Sequence, residues 1–212
     1  MKLNHSDLLL YAVTDRTWLG NSTLLEQVEE SILGGVTCVQ LREKDLDFQN
    51  FLSGAKEMKA LCNKYKIPFI INDSLEIALE SGADGVHIGQ SDQNAKEVRE
   101  KLGDSRIMGV SVQTVEQAKG AVADGADYLG VGAVFSTSTK LDAHAVSLAT
   151  LKEITAFVEV PVVAIGGISL ENIHQLEKCG LSGVAVVSGI FASSDIKRAS
   201  ESFVLASQEV VR

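Results

Sequence analysis

A chain of 212 residues is long enough for one substantial domain and short for two. Hydrophobic residues make up 45% and charged residues 22%, globular values that exclude a disordered or fibrous chain, and the longest apolar runs are strand-sized and too short to span a bilayer. The formal charge of −9 argues against nucleic acid or an anionic membrane surface as the main partner, while leaving room for a local cationic pocket.

In chain order, short apolar runs alternate with longer segments of helical period. The runs fall at residues 8–13, 38–41, 68–71, 85–88, 107–112, 128–134, 162–168 and 183–190. Several are nearly continuous in Val, Ile, Leu and Ala, the composition of strands buried on both faces of a parallel sheet. Between the runs, Leu24, Val28 and Ile32 make one helical stripe, and Phe51, Ala55, Met58 and Cys62 make another. Gly34-Gly35, Gly82, Gly103, Gly125 and Gly180 stand just past the helix candidates, where a left-handed cap would place them. Asn94 and Ser169 stand near helix starts and are read as caps. The phrases Ser-Gly-Ala-Asp-Gly-Val (81–86), Asp-Gly-Ala-Asp-Tyr-Leu (124–129) and Cys-Gly-Leu-Ser-Gly-Val (179–184) recur at helix-to-strand returns.

Eight strand–helix units in this length predict a single-domain (β/α)8 TIM barrel over residues 1–212, with a doubly wound open sheet as the alternative. The opening segment carries no small-residue cleavage site after its apolar run, so a secretion signal is not expected. Cys38, Cys62 and Cys179 are scattered, odd in number and not metal-spaced, which fits a reducing cytoplasm. Nothing in the pattern assigns an oligomeric state.

Active sites of such barrels lie at the C-terminal ends of the strands. Those ends carry Thr14-Asp15-Arg16, then Gln40-Leu41-Arg42-Glu43-Lys44, Asn72-Asp73, Gly89-Gln90-Ser91-Asp92, Ser111, Thr137-Ser138-Thr139-Lys140, Gly166-Gly167 and Val187-Ser188-Gly189. Three sub-sites separate by chemistry. Arg42 offers a planar fork and Lys44 a point charge, both suited to phosphate oxygens; the plain alternative pairs them with Glu43, Asp45 or Asp47 on the surface. Asp73 and Asp92 end adjacent strands and are matched to one Mg²⁺, which takes few protein carboxylates and fills its octahedron with water and phosphate oxygens. Helix capping is the competing role for either Asp. The turns at 166–167 and 187–189 would present backbone N–H groups beside a helix N-terminus, the usual phosphate position on this fold; alternatively these glycines only permit tight strand–helix packing.

The loop from Val134 to Leu148 strings the hydroxyls of Thr137, Ser138 and Thr139 and the cation of Lys140 together as an anion cradle, or else is an ordinary solvated loop. His5, His87, His144 and His174 share no spacing, and His87, inside a strand, is read as a packed, hydrogen-bonded residue. Gly-Val-Gly at 130–132 lies inside a strand without the helix of a dinucleotide fingerprint. Two anion sites, a metal and no nucleophile–base pair point to transfer chemistry on phosphorylated small molecules, with neutralisation of a departing pyrophosphate.

These residues, as a set, resemble the thiamine-phosphate synthase family over about residues 9–200. The motifs are Tyr-Ala-Val-Thr-Asp (11–15), Val-Gln-Leu-Arg-Glu-Lys (39–44), Ile-Asn-Asp (71–73), Gly-Val-His-Ile-Gly-Gln-Ser-Asp (85–92), Gly-Val-Ser (109–111), Asp-Tyr-Leu-Gly-Val-Gly (127–132), Thr-Ser-Thr-Lys (137–140), Ala-Ile-Gly-Gly-Ile (164–168) and Val-Ala-Val-Val-Ser (184–188). The resemblance implies a Mg²⁺-dependent transferase that joins 4-amino-2-methyl-5-hydroxymethylpyrimidine diphosphate to thiazole phosphate. It implies that the strip Gln40, Leu41, Arg42, Glu43 and Lys44, with Asn72, Ser111 and Lys140, binds the pyrimidine diphosphate. Of these, Arg42, Lys44, Ser111 and Lys140 would act on the departing group. Asp73 and Asp92 would hold Mg²⁺. Thr137, Ser138, Thr139, Gly167, Val187 and Ser188 would bind the thiazole phosphate.

Three departures from the family pattern stand out. Ala145 occupies a position that is usually Gly, Ser91 one that is more often acidic, and Gly189 one that is more often Ala. The last is similar to the thiazole tautomerase branch of the same superfamily. A tautomerase or a non-catalytic sensor of a thiamine precursor are the competing readings. Full retention of Arg42, Lys44, Asp73, Asp92 and Lys140 speaks against the tautomerase.

Overall fold

The computed structural model describes residues 3–90, 92–136 and 145–211. Eight parallel strands close into one barrel in sequence order: β1 (Leu10–Val13), β2 (Cys38–Leu41), β3 (Phe69–Asn72), β4 (Gly85–Ile88), β5 (Ile107–Val112), β6 (Tyr128–Gly132), β7 (Val162–Ile165) and β8 (Gly183–Val186), with β1 pairing to β8. The expected TIM barrel is therefore the fold, and the open-sheet alternative is excluded.

Alternation along each strand separates two cores. Tyr11, Val13, Cys38, Ile70, Ile107, Tyr128, Val163 and Ala185 point inward and fill the barrel. Leu10, Ala12, Val39, Leu41, Ile71, Val86, Val110, Leu129, Val131, Ala164 and Val184 point outward against the helices. Burial on both faces is why the runs read as nearly continuous apolar sequence. At about 25 cal/mol per Å² of apolar area removed from water, this double burial supplies the main stabilising force.

The helices follow local signals. In α1 (Leu24–Leu33) a capping box joins Thr23 and Glu26, and Leu24, Val28 and Ile32 form its buried stripe. In α2 (Phe48–Tyr65) the stripe of Phe51, Ala55, Met58 and Cys62 is buried, capped by Asp47. This helix ends on Lys66 in the left-handed region (φ 58°), not on a glycine. Ser74 caps α3 (Leu75–Ser81), Asn94 caps α4 (Ala95–Leu102), Thr114 caps α5 (Val115–Ala123) and Ser147 caps α6 (Leu148–Phe157).

The expectation of a helix starting at Ser169 is corrected. After β7 the chain makes only a 3-10 turn, Ile173–Leu176, and Ser169 donates its N–H to Asn172 Oδ1. The apolar spacing of that segment is enough for one turn against the core, through Ile173 and Leu176, and no more. After β8 come a four-residue helix α7 (Ser188–Phe191) and the long α8 (Ile196–Val210), which packs on α1. The runs at 128–134, 162–168 and 183–190 leave the sheet at Gly132, Ile165 and Val186; their remaining residues form rim turns and α7. Among the described residues no helix is long and apolar enough to cross a membrane.

Candidate active site

A cavity of about 670 Å³ opens at the C-terminal ends of the strands. It is lined by Tyr11, Gln40, Arg42, Lys44, Asn72, Asp73, His87, Gly89, Gln90, Asp92, Ser111 and Gln113 on one side. Gly130, Gly132, Ala133, Ile165, Gly166, Gly167, Val187 and Ser188 line the other. Of the sequence-expected site residues that are described, the cavity gathers Gln40, Arg42, Lys44, Asn72, Asp73, Asp92, Ser111, Gly167, Val187 and Ser188. Thr137, Ser138, Thr139 and Lys140 lie outside the described residues, as do Ser91 and His144.

Two members of the expected 40–44 strip stand elsewhere. Leu41 is 1% exposed and packs outward in the barrel–helix core, because the two-residue period of a strand turns it away from its neighbour Gln40. Glu43 is held by Arg16: Nε reaches its two carboxylate oxygens at 2.9 and 2.8 Å, and Nη2 reaches one at 2.8 Å. A substrate in the cavity thus meets the side chains of Gln40, Arg42 and Lys44, not those of Leu41 and Glu43.

The end of β1 braces the end of β2 residue by residue. Thr14, fully buried, accepts the Arg42 N–H at 3.0 Å. Asp15 lies 3.8 Å from Arg42 Nη1. Arg16 takes Glu43. The plain alternative, pairing within its own loop, is not what Arg42 shows: its guanidinium faces Asp15 at the end of β1. The brace walls a second cavity of about 360 Å³, which shares Arg42 and Lys44 with the first.

Asp73 and Asp92 do not cap the following helices. Ser74 accepts from Ile77 N and Asn94 from Lys96 N and Glu97 N, so those positions are taken. Asp73 adopts a left-handed backbone, φ 62°, an uncommon conformation for a non-glycine residue. Asp92 closes the turn after β4 by accepting the Gly89 N–H through Oδ2 at 2.6 Å. Among the described residues no cluster of three or more His, Cys, Asp or Glu could cage a metal. Two carboxylates beside the cations Arg42 and Lys44 fit the needs of Mg²⁺, which keeps most of its shell for water and phosphate oxygens.

The opposite arc is built from backbone. Gly166 and Gly167 have φ of 99° and 63°. A Cβ on Gly167 would sit 2.2 Å from the Ser136 carbonyl oxygen, so the turn excludes any side chain. Asn172 Nδ2 donates to the Gly167 carbonyl at 2.8 Å and pins the turn. Ser188 opens α7, in which the Ile190 and Phe191 N–H groups donate to the Val187 carbonyl at 3.1 and 3.0 Å.

Beneath the mouth runs a chain of hydrogen bonds that sequence reasoning missed. Gln40 Nε2 donates to the Tyr11 hydroxyl at 2.7 Å, which meets the Tyr128 hydroxyl at 2.8 Å. That hydroxyl meets His87 Nδ1 at 2.8 Å, and His87 Nε2 meets Ser111 Oγ at 2.8 Å. Burial, reinforced at Tyr11 by the neighbouring Tyr128 phenol and at Tyr128 by Cys38, pushes both phenols well above their usual range and keeps them protonated. Tyr128 crosses the barrel because Gly109 offers no Cβ, which would stand 2.2 Å from the Tyr128 ring carbon Cζ. His87 is hydrogen-bonded and buried as expected, but it also faces the cavity. The available signal was polar residues at alternate positions inside apolar runs.

One departure has a structural account. A Cβ on Gly189 would lie 2.7 Å from the Phe203 ring, so α8 packing accounts for this glycine. Ala145 is an exposed residue. The next residue, Val146, anchors the chain by donating its N–H to the Ala133 carbonyl at 2.8 Å.

The family described as thiamine monophosphate synthase matches residues 10–190. The thiamine-phosphate synthase of Ruminiclostridium cellulolyticum is 52% identical over 195 residues, 92% of this chain and 93% of that protein. That of Methanobrevibacter smithii is 48% identical over 199 residues, 94% and 95% of the two chains. The solved thiamine phosphate pyrophosphorylase of Pyrococcus furiosus superposes with a TM-score of 0.90 at 35% identity, covering 98% of this chain and 99% of its own. The chain belongs to the thiamine monophosphate synthase family.

Proposed function

We propose that this protein, acting as one catalytic unit over residues 1–212, joins 4-amino-2-methyl-5-hydroxymethylpyrimidine diphosphate to thiazole phosphate. The products are thiamine phosphate and pyrophosphate. The observation that carries this reading is the two-sided cavity, in which a charged arc faces an uncharged backbone arc. The first suits a diphosphate leaving group and the second suits the phosphate of an acceptor.

In this reading Arg42 and Lys44 bind the diphosphate oxygens, and Asn72, Gln40 and Ser111 orient the pyrimidine. Gly167, Val187 and Ser188 bind the thiazole phosphate through N–H and hydroxyl donors. Thr137, Ser138, Thr139 and Lys140 belong to the same assignment as sequence-based expectations. Asp73 and Asp92 would hold Mg²⁺, which when bound neutralises charge on the diphosphate.

The chemistry asks little covalent work of the protein. The bond from the methylene carbon to the diphosphate oxygen breaks, and its electron pair leaves with pyrophosphate. The ring amino group spreads the positive charge left on carbon, and the thiazole nitrogen supplies the pair for the new C–N bond. No proton is abstracted from the reacting atoms, so the protein positions and neutralises. A cytoplasmic setting accords with three buried, free cysteines.

The test is incubation of the purified protein with both substrates, with Mg²⁺ and with chelator. Mg²⁺-dependent formation of thiamine phosphate and pyrophosphate is expected. Absence of product while thiazole phosphate still binds would overturn the transferase reading.

A further inference from the structure

The chain Gln40–Tyr11–Tyr128–His87–Ser111 crosses the barrel from β2 to β5, and both of its ends line the cavity. Such a chain has a polarity, because each hydroxyl gives its one proton in one direction. Gln40 sets it. Its Nε2 can only donate, so the Tyr11 oxygen accepts and the Tyr11 proton goes on to Tyr128. The Tyr128 proton then goes to His87 Nδ1, which must be unprotonated. His87 is left with its proton on Nε2, donated to Ser111 Oγ. Ser111 Oγ has accepted, so its own proton is available to the cavity. At the other end the Gln40 amide has spent an N–H and offers its carbonyl oxygen.

We infer that Tyr11, Tyr128 and His87 are positioning residues that fix Ser111 as a hydrogen-bond donor and the Gln40 carbonyl as an acceptor toward the pyrimidine diphosphate. This rests on the function proposed above and deepens it. The chain has the properties of a fixed template. Tyr11 and Tyr128 are 1% and 0% exposed, so neither phenol can turn to water for another partner. Their rings meet edge to face with centroids 5.9 Å apart, and the ring of His87 lies 5.4 Å from that of Tyr128. The rings hold the oxygens in place, and reversing the polarity would require the Gln40 amide to turn its carbonyl toward Tyr11. A ligand seated between the ends must present a donor to Gln40 and an acceptor to Ser111. An aminopyrimidine, with an exocyclic N–H group and ring nitrogens, presents both.

The test has a spectroscopic arm and a kinetic arm. In protein labelled with ¹⁵N-histidine at neutral pH, the His87 resonances, assigned by their loss in His87→Gln, should show an unprotonated Nδ1 and a protonated Nε2. Tyr128→Phe removes the donor to Nδ1 and should shift that tautomer signature. The same variant should lower kcat/KM for the pyrimidine diphosphate by about tenfold or more, the size of one buried hydrogen bond. The KM for thiazole phosphate should stay unchanged. His87→Gln keeps an N–H donor and should retain more of this activity than His87→Leu.

A protonated Nδ1 in the wild type would mean the reverse polarity and overturn the inference. So would a Tyr128→Phe variant that keeps both the tautomer signature and the pyrimidine kinetics. The spectroscopic arm needs no turnover. If the wild type made no thiamine phosphate, the proposed function would fall while the histidine signals still judged the hydrogen-bond chain.

Discussion

The two arcs of the cavity mouth handle negative charge in different ways. On the β2–β4 side, side chains carry charge and their neighbours hold them in place: Thr14 accepts the Arg42 backbone N–H, Asp15 faces its guanidinium, and the Gly89 backbone N–H donates to Asp92. On the β6–β8 side, the described lining residues are uncharged, and the shape of the backbone at Gly166, Gly167 and Ser188 takes over. The difference matches the two phosphates proposed. A leaving diphosphate gains charge as its bond breaks, so mobile-charge neutralisers act there with most effect on rate. A phosphate that is only gripped needs directional N–H donors and no change during the reaction.

The contrast predicts which substitutions strike turnover and which strike binding. The largest effect is expected on the charged arc. Asp92→Ala should cut turnover by about two orders of magnitude or more, with circular dichroism unchanged, as for loss of one transition-state electrostatic contact. Asp92→Asn keeps an oxygen for the Gly89 N–H and should fall nearly as far. Near-normal rates in Asp92→Asn would remove that carboxylate from the metal site.

Next comes Ser188→Asp, which sets a like charge against the acceptor phosphate. Steady-state kinetics should show the KM for thiazole phosphate up by roughly tenfold or more while the pyrimidine KM holds. Equal damage to both would break the division between the arcs.

Gly167→Ala probes the backbone arc as structure. With φ at 63° and a carbonyl oxygen 2.2 Å from the new Cβ, the loss should be about 1–3 kcal/mol. A thermal melt should then fall by several degrees, and an unchanged Tm would mean that the turn relaxes freely.

The smallest effect belongs to the outer brace. The Arg16 side chain is 44% exposed but that of Glu43 only 4%, so Arg16→Ala leaves a buried carboxylate without its cation. It should raise the KM for the pyrimidine diphosphate a few-fold and lower Tm by about a few degrees. A hundredfold loss would move Arg16 from brace to ligand.

Much of this arrangement could be read before any coordinates. Arg42, Asp73 and Asp92 stood out because a charged residue at the end of an apolar run has few structural reasons to be there. Gly166-Gly167 stood out because two glycines rarely interrupt a buried strand without a turn. By contrast, Asp15 and Arg16 are visible in the sequence only as the end of a run, since their partners Arg42 and Glu43 each lie 27 residues away. Leu41 looked like part of a ligand strip until strand alternation turned it outward. The segment after β7 looked like a helix because caps and apolar spacing do not distinguish one turn from three.

The sequence by itself determined the eight strand–helix units and the placing of the charged groups at the ends of the strand runs. Those follow from local periodicity, caps and run length, which act over a few residues. Only the tertiary structure decided that Tyr11 meets Tyr128, 117 residues apart, and that Gly109 makes room for that ring. The same holds for Gly189, whose missing Cβ makes way for Phe203 on α8. Such contacts depend on barrel closure and register, where the neighbour across the interior is set by packing and not by the adjoining sequence.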